Sequence, residues 1–177
     1  MFENINEYTT LAKKAKFIRG VTYPKSAEAH EVTDYKILTS DNVTLEGEFE
    51  LNKVVYLKNG TTLQPEKKLL KNDILICLSS GSKNHVGKNA LIPMEGNYYA
   101  GGFMGIIRAD KISPITLHYL LNTEEAKQFY LNTSNGTNIQ NLSNNIENMK
   151  IKDVSKSDEK KLLDGIEEID KLKFCEL

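Results

Sequence analysis

The residues best suited to chemistry lie between positions 73 and 88. There Asp73-Ile74-Leu75-Ile76-Cys77-Leu78 gives way to Ser79-Ser80-Gly81-Ser82-Lys83-Asn84-His85-Val86-Gly87-Lys88. The first half is a continuous apolar run, the pattern of a buried strand. The second half is small, polar and basic, with two glycines and no acid. That chemistry suits an anion, either a nucleotide phosphate or a nucleic-acid backbone, although an ordinary solvated hairpin loop has the same composition. A phosphate-binding P-loop requires G-x-x-x-x-G-K and then Ser or Thr, set between a strand and a helix. Here Gly81 and Gly87 enclose five residues, and Asn89 stands where the magnesium-binding hydroxyl belongs. The following Ala90-Leu91-Ile92-Pro93 reads as a short strand, not a helix, which speaks against an NTPase. Other catalytic groupings fail on spacing too. Glu66-Lys67-Lys68 has the E-x-K spacing of a nuclease, but no Pro-Asp precedes it. Neither Ser79 nor Ser80 lies in a Gly-x-Ser-x-Gly elbow. No Asn/Asp-Pro-Pro-Tyr/Phe motif for amino methylation occurs. His30, His85 and His118 are scattered, with no Cys/His cluster to hold zinc. No catalytic residue, metal or cofactor is therefore expected.

Two further segments carry groups that bind polyanions. Between Glu7 and Glu28 there is no acid, but there are Lys13, Lys14, Lys16, Arg19 and Lys25, with Thr22, Tyr23 and Pro24 among them. The run Asn132-Thr133-Ser134-Asn135-Gly136-Thr137-Asn138-Ile139-Gln140-Asn141-Leu142-Ser143 is uncharged and rich in amides and hydroxyls. Its amides suit base edges or phosphates, but Asn and Gly are also the default residues of turns and caps.

These segments must be held by a scaffold, and the pattern is mostly β over the first 110 residues. Tyr35-Lys36-Ile37-Leu38-Thr39 alternates as a half-buried strand does. Val43-Thr44-Leu45, Phe49-Glu50-Leu51 and Val54-Val55-Tyr56-Leu57 read as further strand pieces, with turn signals between them. After Pro114 the pattern becomes helical. Two short helices are expected over 117–121 and 123–130, the second capped by Thr123, with Glu124 and Glu125 at its positive end. A third, amphipathic helix is expected over 157–172, capped by Ser157, with Leu162, Ile166, Ile169 and Leu172 as one apolar stripe. Such a stripe packs on its own domain or on a partner helix.

Composition narrows the class without naming a function. A chain of 177 residues with 40% apolar and 27% charged residues is ordinary for one globular domain. Its net charge of −1 creates no global field for nucleic acid, so any basic footprint must be local. No apolar stretch approaches the ~20 residues of a membrane span, and Met1-Phe2-Glu3-Asn4 does not open like a signal sequence. Cys77 and Cys175 read as reduced thiols, which points to a cytoplasmic protein.

Four segments, taken in order, resemble the target recognition domains of type I restriction–modification specificity subunits. They are Phe17-Ile18-Arg19-Gly20-Val21-Thr22-Tyr23; Tyr35-Lys36-Ile37-Leu38-Thr39-Ser40-Asp41-Asn42-Val43; the run from Lys71-Asn72-Asp73 through Gly87-Lys88; and Tyr99-Ala100-Gly101-Gly102-Phe103-Met104, continued by Pro114, Tyr119-Leu120-Leu121 and the amide-rich run. The resemblance implies an α+β fold, with a β-rich N-terminal part of irregular, double β-helix-like sheets, then a helical hairpin and a C-terminal amphipathic helix. It implies a recognition domain over 1–150, with a linker and helix over 151–177 as dimerisation element or spacer remnant. It further implies sequence-specific, non-catalytic reading of one half of a bipartite double-stranded DNA site. Methylation would belong to a separate DNA adenine methyltransferase subunit, and cleavage to a motor-nuclease subunit reached through it. The DNA-contacting candidates are Arg19, Thr22, Tyr23, Ser80, Ser82, Lys83, Asn84, His85 and Lys88, then Asn135, Thr137 and Asn138. The tail departs from the family pattern, since residues 151–156 contain no proline. A half-subunit that pairs with itself, or a diverged interaction module that no longer binds DNA, stays open at this stage.

Overall fold

The computed structural model describes residues 5–133 and 140–175. In chain order its strands are β1 (Tyr8–Thr10), β2 (Ala15–Arg19), β3 (Glu28–Ala29), β4 (Tyr35–Leu38), β5 (Val55–Leu57), β6 (Ile74–Cys77), β7 (Ser79–Ser80), β8 (Asn89–Leu91), β9 (Tyr98–Ala100), β10 (Met104–Ala109), β11 (Gln140–Asn141) and β12 (Lys150–Lys152). The helices are α1 (Pro114–Leu121), α2 (Glu124–Thr133) and α3 (Lys156–Cys175).

The apolar run at 74–77 becomes the central strand of the molecule. Antiparallel β6 lies between β10 and β8 in a sheet of order β2-β10-β6-β8. An antiparallel strand with one wet face alternates polar with apolar residues; this one is apolar throughout because both faces are covered. Ile74 and Ile76 point into a core with Leu117, Leu120, Leu121 and Ala126 of the helical hairpin. Leu75 and Cys77 point the other way, into a core with Leu38, Tyr98 and Ala100 of a second sheet. That second sheet has the order β3-β5-β4-β9, with β4 and β9 parallel. Its outer face buries Ile37, Leu57, Tyr99 and Val21. Side-chain direction alternates along each strand, so neighbouring residues serve different cores.

One ion pair pins the central sheet to the loop before it. Asp73, 2% exposed, accepts from Arg108 Nε and Nη2, each at 2.8 Å, and from the Leu70 amide at 2.8 Å. Arg108 Nη2 also donates to the Lys68 carbonyl at 3.0 Å. A bidentate fork on a buried carboxylate is the geometry for which guanidinium is suited. One of the two arginines in the chain is thus part of the scaffold.

Several local expectations change. Val43-Thr44-Leu45 and Phe49-Glu50-Leu51 are not strands; a single bridge joins Val43 to Phe49. The buried amide of Asn42 organises this segment instead. Its Oδ1 accepts from the Thr39 amide at 2.9 Å, and its Nδ2 donates to the carbonyls of Glu50 and Asn52. The basic stretch opens on a 3-10 turn at Leu11–Lys13, set between β1 and β2. Thr123 does cap α2, accepting from the Ala126 amide at 3.4 Å. The cap of α3 is Ser155 and not Ser157: its hydroxyl accepts from the Asp158 amide at 3.2 Å and donates to the Asp158 carboxylate at 2.7 Å.

The boundary expected at residue 150 falls inside β12, which pairs with β1 across the domain. Beyond it, Leu162 is 3% exposed within the core beside the hairpin, and Ile166 packs against the same core. Glu159, also buried, accepts from the Ser113 amide at the start of α1 at 2.7 Å. The expected partner stripe is therefore, at Leu162 and Ile166, an internal contact: burying apolar area on its own domain is available without a second chain. The side chains of Ile169 and Leu172 lie outside the described residues.

Candidate functional site

A cleft of about 820 Å³ lies where three chain segments converge. Residues 21–23 follow β2, residues 79–81 include β7, and residues 101–104 join β9 to β10. Backbone bonds lock the three together. The Val21 amide donates to the Ala100 carbonyl at 2.8 Å, and the Leu78 and Ser79 amides donate to the Phe103 carbonyl at 2.9 and 3.3 Å. Gly20 permits this closure. A Cβ there would stand 2.0 Å from the Gly101 carbonyl oxygen, so no larger residue fits between β2 and the turn. Thr39, held by Asn42, and Ser40 form a further wall, and Lys25 and Glu28 line the cleft beyond Tyr23.

The sequence candidates divide between this cleft and a second site. Thr22, Tyr23 and Ser80 line the cleft. Burial and the neighbouring Glu28 carboxylate push the Tyr23 phenol up, so it is a neutral O–H donor at neutral pH. Arg19 is exposed at the end of β2, and its Nη2 donates to Asn144 at 2.8 Å. Ser82 is exposed at the rim, its amide donating to the Ser80 hydroxyl at 3.2 Å. Lys83, Asn84 and His85 form a single 3-10 turn. Lys83, Asn84 and Lys88 line a smaller crevice against α2, with Leu45, Lys127 and Tyr130. The Lys88 ammonium donates to the Val43 carbonyl at 2.8 Å, so it braces a loop as well as lining that crevice. Asn135, Thr137 and Asn138 lie outside the described residues. The strand after them, β11, pairs with β7, setting Gln140 opposite Ser80.

The cleft brings in Lys25 of the basic stretch and adds Glu28, Thr39, Ser40 and Phe103 to what the sequence suggested. Phe103 follows Gly101-Gly102, a signal for a tight turn that exposes its neighbour. Lys14 is subtracted from the basic stretch, because it pairs with Asp153 at 2.6 Å. Among the described residues the cleft lining brings no His or Cys beside Ser80. Cys77 is a free, buried cysteine whose thiol is pushed up by burial against the pull of Lys88, which disfavours a thiolate. No group of three or more His, Cys, Asp or Glu able to hold a metal occurs among the described residues. None of the described helices is long and apolar enough to cross a membrane.

No protein-family model matches the chain. Curated relatives do. The StySPI specificity subunit of Salmonella potsdam, a type I restriction enzyme subunit, is 32% identical over 130 residues, covering 71% of this chain and 27% of that protein. The EcoKI specificity subunit of Escherichia coli K12 gives the same identity and coverage. The chain thus spans about a quarter of the length of those relatives. Among solved structures, the HsdS subunit from Thermoanaerobacter tengcongensis matches with a TM-score of 0.64 at 13% identity, over 94% of this chain and 37% of that one. A chain from a structure on complex assembly and conformational transition of the type I R-M system matches with a TM-score of 0.67 at 14% identity, over 94% and 38%. At such identities the structural likeness speaks for the fold, and the sequence matches carry the kinship. The chain belongs to the type I restriction–modification specificity-subunit family, of which it is a target recognition domain.

Proposed function

We propose that this chain reads the sequence of one half of a bipartite duplex DNA site and does no chemistry itself. The observation that carries the proposal is the cleft. Three loops rigidly tied by main-chain bonds present Thr22, Tyr23 and Ser80 together, with Lys25 lining the same cleft, in a chain 32% identical to type I specificity subunits. Hydroxyls and amides fix register on phosphates and sugars, while base edges supply sequence information. Asn pairs with adenine, and Arg or Lys with guanine, each bidentate pair discriminating by about 1–3 kcal/mol. Lys83 of the 83–85 turn neutralises a phosphate, so affinity falls with salt, with a slope of roughly −0.9 per phosphate contact.

By the same kinship, the chain would direct a DNA adenine methyltransferase subunit to its site, and through it a motor-nuclease subunit, within the cytoplasm. Pairing of two copies through Leu162 and Ile166 is not part of the proposal, since both side chains serve the core.

The test is selection of bound duplexes from a random pool, followed by gel shifts across a salt series. A recovered motif, weakened by Thr22→Val or Ser80→Ala at unchanged salt slope, supports base-side recognition by the cleft. Lys83→Ala should reduce the slope by about one unit while weakening all sequences alike. Recovery of no motif from the pool would sink the proposal and leave an interaction module.

A further inference from the structure

We propose that Phe103 is a wedge that stacks against a base of the bound duplex. This inference rests on the DNA-recognition reading and assigns a residue which that reading alone does not. Phe103 is 70% exposed, although it lies at the meeting point of the main-chain bonds that close the cleft. A phenyl ring on a loose loop is unremarkable, but this one sits on a fixed backbone. Its carbonyl accepts from Leu78 and Ser79, and the next amide, of Met104, donates to Gly101 at 2.8 Å. The next residue is treated differently: Met104 is 1% exposed and belongs to the core. The turn thus anchors Met104 inward while holding Phe103 out at the cleft, beside Tyr23 and the hydroxyls of Thr22 and Ser80.

Little conformational entropy is left to lose at such a tip, so contact energy there appears as affinity. Its surroundings select the occupant. An apolar protein partner would offer nothing to the hydroxyls of Thr22 and Ser80 or to the charges of Lys25 and Glu28 that line the same cleft. A base offers a π-face for the ring and polar edges for its neighbours. Apolar side chains that enter between base steps unstack them and bend the duplex.

The chain contains no Trp, so Phe103→Trp introduces a single tryptophan. Its emission reports stacking directly. With a duplex recovered from the selection, emission of F103W should be quenched on binding, with affinity kept within about threefold. F103A should bind roughly 5- to 100-fold more weakly, with the salt slope unchanged, because no phosphate contact is removed. Thermal melting of F103A should match the wild type, as the ring is mostly solvated. If F103A keeps wild-type affinity and F103W emission does not respond while the wild type binds, the wedge is overturned and the DNA reading survives. If the wild type binds no duplex, both fall together.

Discussion

The two glycines that bracket the basic loop look alike in the sequence, but Gly87→Ala and Gly81→Ala should differ sharply. Gly87 has φ +86°, and a Cβ there would lie 2.2 Å from Cδ2 and 2.3 Å from Cγ of Tyr130. Neither side can yield. Tyr130 is 5% exposed and its hydroxyl donates to the Leu121 carbonyl at 2.9 Å. The Gly87 amide donates to Cys77 at 2.8 Å, and its carbonyl accepts from Asn89 at 2.9 Å. Left-handed backbone costs an L-residue about 1–2 kcal/mol, and forcing a methyl into a packed ring costs about 1–3 kcal/mol. Together these remove roughly 2–5 kcal/mol from a stability that for a domain is about 5–15 kcal/mol. For a chain of this size that lowers Tm by about 5–20 °C. A Cβ at Gly81 meets nothing within 4 Å, and its φ is not in the left-handed region. Gly81→Ala should therefore stay within about 0.5 kcal/mol of the wild type. Calorimetric melting of the three proteins is the assay. A Gly87→Ala protein melting within about 2 °C of the wild type would refute the packing argument.

Asp73→Ala should destabilise by about 3–5 kcal/mol, because it leaves the Arg108 guanidinium and the Leu70 amide without their carboxylate; urea unfolding checks this, and a midpoint equal to the wild type's would count against it. Burial holds His118 below its ordinary pKa, against the opposing pull of the Asn89 carbonyl. The unfolded chain therefore takes up a proton near pH 6.5 before the native one does, so stability present above about pH 6.5 is lost as pH falls towards the folded value. His118→Gln should flatten that part of the stability profile, and an unchanged profile would refute the assignment. Leu162→Ala should cost about 2–5 kcal/mol, and truncation at residue 155 should unfold the domain, seen by loss of the cooperative melt, since α3 supplies Leu162 and Glu159 to the core and to α1.

What could be read in the sequence was whatever depended on local pattern. The run at 74–77, the hairpin after Pro114 and the Thr123 cap follow from apolar continuity, helix-breaking residues and capping chemistry, all carried by neighbours in the chain. What could not be read was set by distant partners. Asn42 turns two apparent strand pieces into a loop through bonds to carbonyls eight and ten residues away. Lys14 loses its place in the basic stretch to Asp153. The pairing of β1 with β12 joins the first described strand to the last, which no periodicity records. The cleft itself is of this kind: residues 21–23, 79–81 and 101–104 have no sequence relation beyond being tied by three main-chain bonds.

The division of the sequence candidates between the cleft and the crevice against α2 does not make them rivals for one ligand. Ser80 lines the cleft and Lys83 lines the crevice, and the three residue steps between them span at most about 10 Å even when extended. The grooves of B-form DNA are about 12 Å and 6 Å wide, so on either side a phosphate strand runs within that distance of the base edges. On the proposed reading, a duplex whose bases face Thr22, Ser80 and Phe103 therefore carries a phosphate strand within reach of Lys83. Lys88, tied to Val43, would act by keeping that turn in place. The rigid ties converge on the cleft, where discrimination requires fixed geometry. The flexible, cationic side chain stands at the edge, where a phosphate tolerates variation in approach. Specificity and affinity are then separable in this chain, and substitutions in the cleft and on the 83–85 turn should affect different observables of the same binding event.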